Sequence, residues 1–431
     1  MKSLLLPTFL FFFLLPLASY AQPPYRKIAT QEVHKRLLDE HPEMRERQRD
    51  IERHTTSFQK NGSPTQVTIP VIFHIIYNSE KERLSEAQVM SQIEALNRDF
   101  RMRDFSIRHP ADTLEDFAAR AADTEIEFCL AALTDRSGGN IALHYVRSNT
   151  PIWQSDDAVK FAKEGGADVV DPGHYLNVWV CRLDNAGSGY AQMPGGPEET
   201  DGIVIDYRFF GTMGTAAHPY SEGKTLTHLV GNYLNLFDLW GTEPCQDDFV
   251  EDTPIHNAPN YGCPGYKHIS TCLGNPVEMT MSFMDNTDDA CMYMFTQGQK
   301  MRMQAVLAKK GPRGGLVMSG AACELSVEER TLDSSKVEHP ASNAGGNLAL
   351  AVFPNPASRE VNLMITAGSE GVSTIAVYNS LGSLVYEMPL HLYKGEQQQA
   401  FDCRNWAEGF YYVKVKTFRE MVSRLFFIKN P

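Results

Sequence analysis

The sequence predicts an α+β domain followed by a small all-β sandwich, and three observations carry that prediction. Residues 67 to 77 are dense in β-branched and aromatic side chains (Val67, Ile69, Val71, Ile72, Phe73, Ile75, Ile76), the mark of a buried strand. Ser85-Glu86-Ala87-Gln88 reads as a capping box opening a helix on which Val89, Ile93, Leu96 and Phe100 recur at helical spacing. Beyond residue 347, short β-rich runs alternate with turn residues at the spacing of a sandwich.

The chain has 431 residues, 42% hydrophobic and 22% charged, enough to bury one large core and a second smaller one. Its formal net charge of −13 argues against a nucleic-acid partner, which asks for a basic face to exchange against counterions. Residues 1–21 read as a signal peptide. Lys2 precedes an apolar stretch from Leu4 to Leu17, and Ser19-Tyr20-Ala21 supplies small residues at the −3 and −1 positions of a cleavage site. Pro7 and Pro16 interrupt that stretch, which is short for a bilayer span, and no later segment looks transmembrane. The protein is therefore expected outside the cytoplasm, where eight cysteines favour disulfides. Cys245, Cys263, Cys272 and Cys291 crowd into one loop-rich segment without a C-x-x-C pair, which favours staples over zinc.

Residues 22–64 read as a helical pro-segment, highly charged, with Val33, Leu37 and Leu38 as a thin apolar stripe over 32 to 53. The main domain is placed at 65–323. Besides the first strand and helix it has expected strands at 125 to 131, 175 to 183 and 202 to 207. A second capped helix starts at Thr296-Gln297-Gly298-Gln299, with Met301, Val306 and Leu307 facing inward. A linker is expected over 324–347, ending in Pro340-Ala341-Ser342-Asn343-Ala344-Gly345-Gly346. The β-sandwich is placed at 348–431, with strands at 348 to 353, 360 to 365, 374 to 378, 410 to 415 and 424 to 428. His74, inside an apolar strand, reads as a core histidine. Asn286-Thr287-Asp288-Asp289 reads as turn chemistry.

The segment that carries chemistry is 225 to 241, in which His228, Leu229, Asn232, Asn235 and Asp238 fall at the five marked positions of the zinc pattern HExxHxxGxxH. In that pattern two histidines one helical turn apart face the metal, the glutamate is the general base, and a turn brings in the third histidine. Of the four chemical positions only His228 is kept. Asn235 at the glycine position is a mild change, because asparagine visits left-handed backbone conformation cheaply.

The blocks around this segment resemble the pappalysin-type metzincin zinc peptidases, with the bacterial cytophagalysins as the nearer branch. They are Gly189-Tyr190-Ala191-Gln192-Met193-Pro194, Asp252-Thr253-Pro254, Gly262-Cys263-Pro264, and the stretch from Ser282 to Met292 with Phe295-Thr296-Gln297-Gly298-Gln299. The resemblance implies a zincin-like domain with a twisted mixed sheet and an active-site-type helix. It places His228, Asn232 and Asp238 at the three zinc-ligand positions and Leu229 at the general base. Met284 falls at the Met-turn and Asn286 where a tyrosine usually stands. It also implies disulfides Cys245–Cys272 and Cys263–Cys291, leaving the pairing of Cys129, Cys181, Cys323 and Cys403 open. Ile28-Ala29-Thr30 stands where relatives carry Cys-Gly-Thr, a thiolate cap on the zinc. The loop with Asp248, Glu251, Asp252 and Thr253 corresponds to a calcium-binding region, and its oxygens suit calcium; a solvated turn at Pro254 is the other reading.

The changes fall on reagents and spare the packing. Leucine accepts no proton, an amide is a poor zinc ligand, and one histidine with one carboxylate is not a three-ligand site. His218, His256 and His268 are spare imidazoles. The expected function is that of a pseudoprotease whose old cleft binds a peptide or protein; a zinc endopeptidase with a rearranged metal site is the alternative, and a decaying copy without a role is the bland one. At the C-terminus, Val352-Phe353-Pro354-Asn355-Pro356, Val377-Tyr378-Asn379-Ser380-Leu381-Gly382, Gly409-Phe410-Tyr411-Tyr412-Val413 and Phe427-Ile428-Lys429 resemble the type IX secretion sorting domain. That implies engagement of the type IX machinery and a secreted or outer-membrane surface location.

Overall fold

The computed structural model describes residues 25–103, 115–133, 142–184, 187–265, 267–318, 323, 349–354, 357–368, 370–379, 384–407, 409–417 and 421–429. The signal peptide, the linker, Asn355-Pro356 and Ser380-Leu381-Gly382 lie outside the described residues. The chain divides into two compact units, up to 333 and from 334.

The first unit starts with two helices, α1 (Thr30–Glu40) and α2 (Met44–Asn61). The sequence pattern ran them together, but the stripe stops at His41-Pro42, because proline disfavours helical backbone in the residue before it. Strand β1 (Val67–Tyr77) is buried from Ile69 to Ile76. It pairs in parallel with β2 (Ile126–Leu130) along its first half, with β3 (Leu143–Arg147) along its second, and with β4 (Leu176–Cys181) on its other side. A parallel strand flanked on both sides and covered on both faces needs this unbroken apolar run. The sheet continues from β4 to β6 (Ile203–Asp206) and ends on a short antiparallel edge strand, β5 (Gly189–Ala191).

Helix α3 (Glu86–Phe100) is capped by Ser85, whose Oγ accepts from the Gln88 amide at 3.2 Å. The reciprocal half of the capping box is absent. Gln88 instead donates its side-chain amide to Phe210 O at 2.9 Å, tying the helix to the next layer. A short α4 (Glu115–Arg120) precedes β2. Helix α5 (Lys224–Tyr233) is buried at all ten positions, and α6 (Gln297–Leu307) has the full Thr296/Gln299 capping box. On α6, Val306 and Leu307 are buried as expected, whereas Met301 is half-buried and Met303 takes the fully buried place. A last turn, α7 (Gly315–Met318), follows.

The second unit holds β7 (Ala349–Phe353), β8 (Glu360–Ala367), β9 (Gly371–Asn379), β10 (Leu384–Leu392), β11 (Gly395–Asp402), β12 (Gly409–Thr417) and β13 (Met421–Ile428) in two antiparallel sheets, ordered β11-β8-β7 and β10-β9-β12-β13. Val361, Leu363, Val377, Val413 and Phe426 from both sheets join one core. Besides β3 and β5 of the first unit, two strands here escaped the sequence reading: β10 contains Pro389, and β11 carries Gln397-Gln398-Gln399. Disulfides join Cys245–Cys272, Cys263–Cys291 and Cys129–Cys323. Cys181 and Cys403 are buried free thiols, so the expectation that all eight pair is corrected. They belong to different units and each sits in its own core.

Candidate active-site cleft

Helix α5 carries His228, Leu229 and Asn232, all with no exposed surface. Its apolar residues pack into the main core, so these three are held by the helix itself. The chain then turns at Asn235, whose φ of +72° is left-handed, and brings Asp238 back under the helix. His228 Nε2 donates to Asp238 Oδ1 at 2.8 Å, and His228 Nδ1 lies 3.2 Å from Asp285 O. Asn232 Nδ2 donates to the same Asp238 oxygen at 3.1 Å and to Leu236 O at 3.1 Å. Asp238, 2% exposed, is thus the acceptor that both helix residues share.

Met284 is fully buried below the helix. A Cβ on Gly231 would stand 2.5 Å from its sulfur, so glycine is required there for the helix to rest on the methionine. Asn286 donates its backbone N–H to Asp285 Oδ1 at 2.8 Å. Its side-chain Oδ1 and that of Asn232 are buried acceptors without a donor. Leu229 packs against edge strand β5, where a Cβ on Gly189 would come within 2.6 Å of Leu229 Cδ1. Burying such a side chain is worth about 1.5–3 kcal/mol, and Leu229 thus serves the core.

The expected calcium residues do not share one point. Asp248 accepts from Thr253 Oγ1 at 2.8 Å and from the Val250 amide at 3.2 Å. Asp252 turns to the start of α6, accepting from Thr296 Oγ1 at 2.7 Å and Gly298 N at 2.9 Å. Burial pushes the Asp248 carboxyl up to about 7, against the pull of its Thr253 hydrogen bond. An acid that holds its proton more tightly when folded stabilises fully below its unfolded value near 3.8, and that stability is lost as pH rises towards 7. We predict a loss on the order of 4 kcal/mol between pH 4 and pH 8, flattened in Asp248→Asn and read from denaturant midpoints.

Of the spare histidines, His256 uses Nε2 to accept from Met279 N at 2.8 Å, and its Nδ1 faces Asp285 Oδ2 at 3.5 Å. His268 lies 3.6 Å from Glu278 near the surface. Neither His256, His268 nor His218 joins the described contacts of the His228–Asp238 pair. Sequence reasoning missed Arg26 and the ion pair that Asp289 makes with it from its turn. Arg26 has no exposed surface and forms an ion pair with Asp289, itself buried, which the sequence suggested was part of a turn. One arginine in a charged stretch carries no signal for that.

Comparison with known proteins fits this architecture. A family model described as pregnancy-associated plasma protein-A matches residues 161–308, and one for a secretion system C-terminal sorting domain matches 351–429. Promirolysin of Tannerella forsythia is similar at 34% identity over 68% of this chain and 97% of that one, with a TM-score of 0.61. The chain belongs to the pappalysin family of metzincins. Mature mirolysin of the same organism, in complex with a cleaved peptide, is 36% identical over 59% of this chain and 97% of that one, with a TM-score of 0.55. An extracellular metalloprotease of Arthroderma gypseum is 29% identical over 260 residues, 58% of this chain and 75% of its own.

Pappalysin-family members are normally zinc-dependent, and the donors present here do not fit zinc. Tetrahedral zinc holds a nitrogen and an oxygen ligand about 3.4 Å apart with the metal between them. His228 Nε2 and Asp238 Oδ1 stand 2.8 Å apart with a proton between them. The remaining donors are neutral amide oxygens of Asn232 and Asn286, the type that zinc takes least readily. Among the described residues no three His, Cys, Asp or Glu side chains are arranged to hold a metal. The second unit is a type IX secretion sorting domain, which implies interaction with that machinery, and the protein is secreted or held at the cell surface. Among the described residues no helix is long and apolar enough to cross a membrane.

Proposed function

We propose that this secreted pappalysin-family chain is a pseudoprotease, with the metallopeptidase scaffold kept and peptide hydrolysis lost. The observation that carries this reading is Leu229, an apolar side chain buried against Gly189 where the family's water-activating carboxylate stands. Loss of a general base removes about a hundred- to ten-thousand-fold in rate on its own. The His228–Asp238 hydrogen bond supports the reading further, since the carboxylate engages the one retained ligand-position histidine.

An outside peptide or protein ligand in the cleft is the second reading, and it requires residues 27–30 to leave edge strand β5, whose outer side they pair with. Calcium in the 248–253 loop belongs to the pseudoprotease reading, as a structural ion at Asp248 and Thr253; added calcium would then offset the stability lost as pH rises towards 7. The activity test is cleavage of a denatured protein by the full-length secreted chain. No cleavage with or without added zinc is expected, while cleavage abolished by a chelator would establish the rearranged zinc endopeptidase instead.

A further inference from the structure

We propose that residues 25–61 are a permanent occupant of the cleft, retained as part of the folded protein and not released as a propeptide. This goes beyond inactivity, because a cleft without catalytic groups could still stand open.

The backbone of the segment completes the sheet. Lys27 O accepts from Ser188 N at 2.7 Å, Ala29 N donates to Gly189 O at 2.9 Å, and Thr30 Oγ1 accepts from Ala191 N at 3.1 Å. With Ile28 bridged in parallel to Gly189, the outer side of β5 is filled. An extended peptide can add to a sheet edge only where these groups are free.

Three anchors hold the segment in depth. Arg26 is fully buried; besides its ion pair with Asp289 it donates to Thr287 O at 2.9 Å and Thr225 Oγ1 at 3.1 Å, and it stacks on Tyr220 with 4.7 Å to the ring centre. Withdrawing it would strip the buried Asp289 carboxylate of its guanidinium partner and leave Lys224, whose Nζ bonds the Asp289 backbone oxygen at 2.6 Å, as the cation beside it. Ala29, Val33, Leu37 and Met44 share a core with Trp153, Trp179 and Tyr190, which belong to the main domain. Glu52 on α2 takes two bonds from Arg302, at 2.9 and 2.5 Å, and one from Asn235, at 3.2 Å. The same Asn235 makes the turn that delivers Asp238.

The junction over the old reagents is apolar. Ile28 and Leu229 belong to one core, and Gly189 touches Leu229 while pairing with Ile28. No thiol–metal bond is there to be broken, so the segment is held by the contacts of an ordinary domain interior.

Hydrogen exchange on the intact secreted chain tests this. Amides of Ala29, Ser188, Gly189 and Ala191 are expected to exchange on the timescale of β1 and β4, through global unfolding. Exchange about a hundredfold faster than in those strands would overturn the proposal. A protease site placed in residues 62–66 and cut after folding gives a second readout: the pieces should co-elute, and a folded body that elutes without its N-terminal piece would contradict permanence. Stoichiometric zinc would sink the pseudoprotease reading and leave the exchange result untouched, whereas fast exchange in a zinc-free protein would sink only this inference.

Discussion

Leu229→Glu, Asn232→His and Asp238→His combined are expected to give a folded protein that binds zinc with a Kd below about 1 μM, equivalent to about −8 kcal/mol. The backbone supports this. Positions 228 and 232 lie one turn apart on a helix buried along its whole length, and Asn235 already adopts the left-handed turn that brings position 238 beneath it. Met284 still fills the floor under Gly231. Removing Asp238 also frees His228 Nε2, so the substitution adds a ligand and releases one. Competition against a chromogenic chelator reads the affinity. A folded triple variant that takes no zinc would mean the scaffold has drifted beyond the reach of three side chains. Turnover is a separate matter, because residues 27–30 still cover the edge strand and Asn286→Tyr is missing.

Leu229→Glu alone should do the opposite, destabilising the chain by about 3–5 kcal/mol. The leucine contacts Gly189 in the main core, and the introduced carboxylate would lie there with neither metal nor cation assigned to it. Burial raises the pKa of such an acid above its unfolded value near 4.3. The stability held by its protonated form is therefore lost as pH rises through the folded pKa, and the deficit should be larger at pH 8 than at pH 4. Urea midpoints across that range check it. With zinc present, the same change within the triple variant should cost far less, and the size of that non-additivity measures coupling between base and metal. A single variant as stable as the parent would place position 229 at a hydrated surface and undo the account of its packing.

The sequence made the main architecture legible because its periodicities are strong. The run from Ile69 to Ile76, the Ser85 cap and the Thr296 capping box each led to the right element. What escaped depends on partners remote in sequence. Pro389 within β10 and the glutamines of β11 carry no alternating pattern, and their neighbours in the sheets supply the strands. The single long N-terminal helix became two at Pro42. In the cleft, residue types alone singled out His228, Leu229, Asn232 and Asp238, and the structure brings His228, Asn232 and Asp238 into contact. That Asp238 stands within hydrogen-bond distance of His228 is a matter of tenths of an ångström, and sequence does not carry such distances. Arg26 makes the same point at longer range: 263 residues separate it from Asp289.

The central claim is that the metallopeptidase scaffold has exchanged its metal centre for a hydrogen-bonded pair and an apolar plug. Elemental analysis of the full-length secreted protein, purified without chelator and then dialysed against a slight excess of zinc, tests it most directly. The account predicts zinc far below one atom per chain, with no change when His228 is replaced by alanine. One tightly held zinc per chain, lost in His228→Ala, would contradict it.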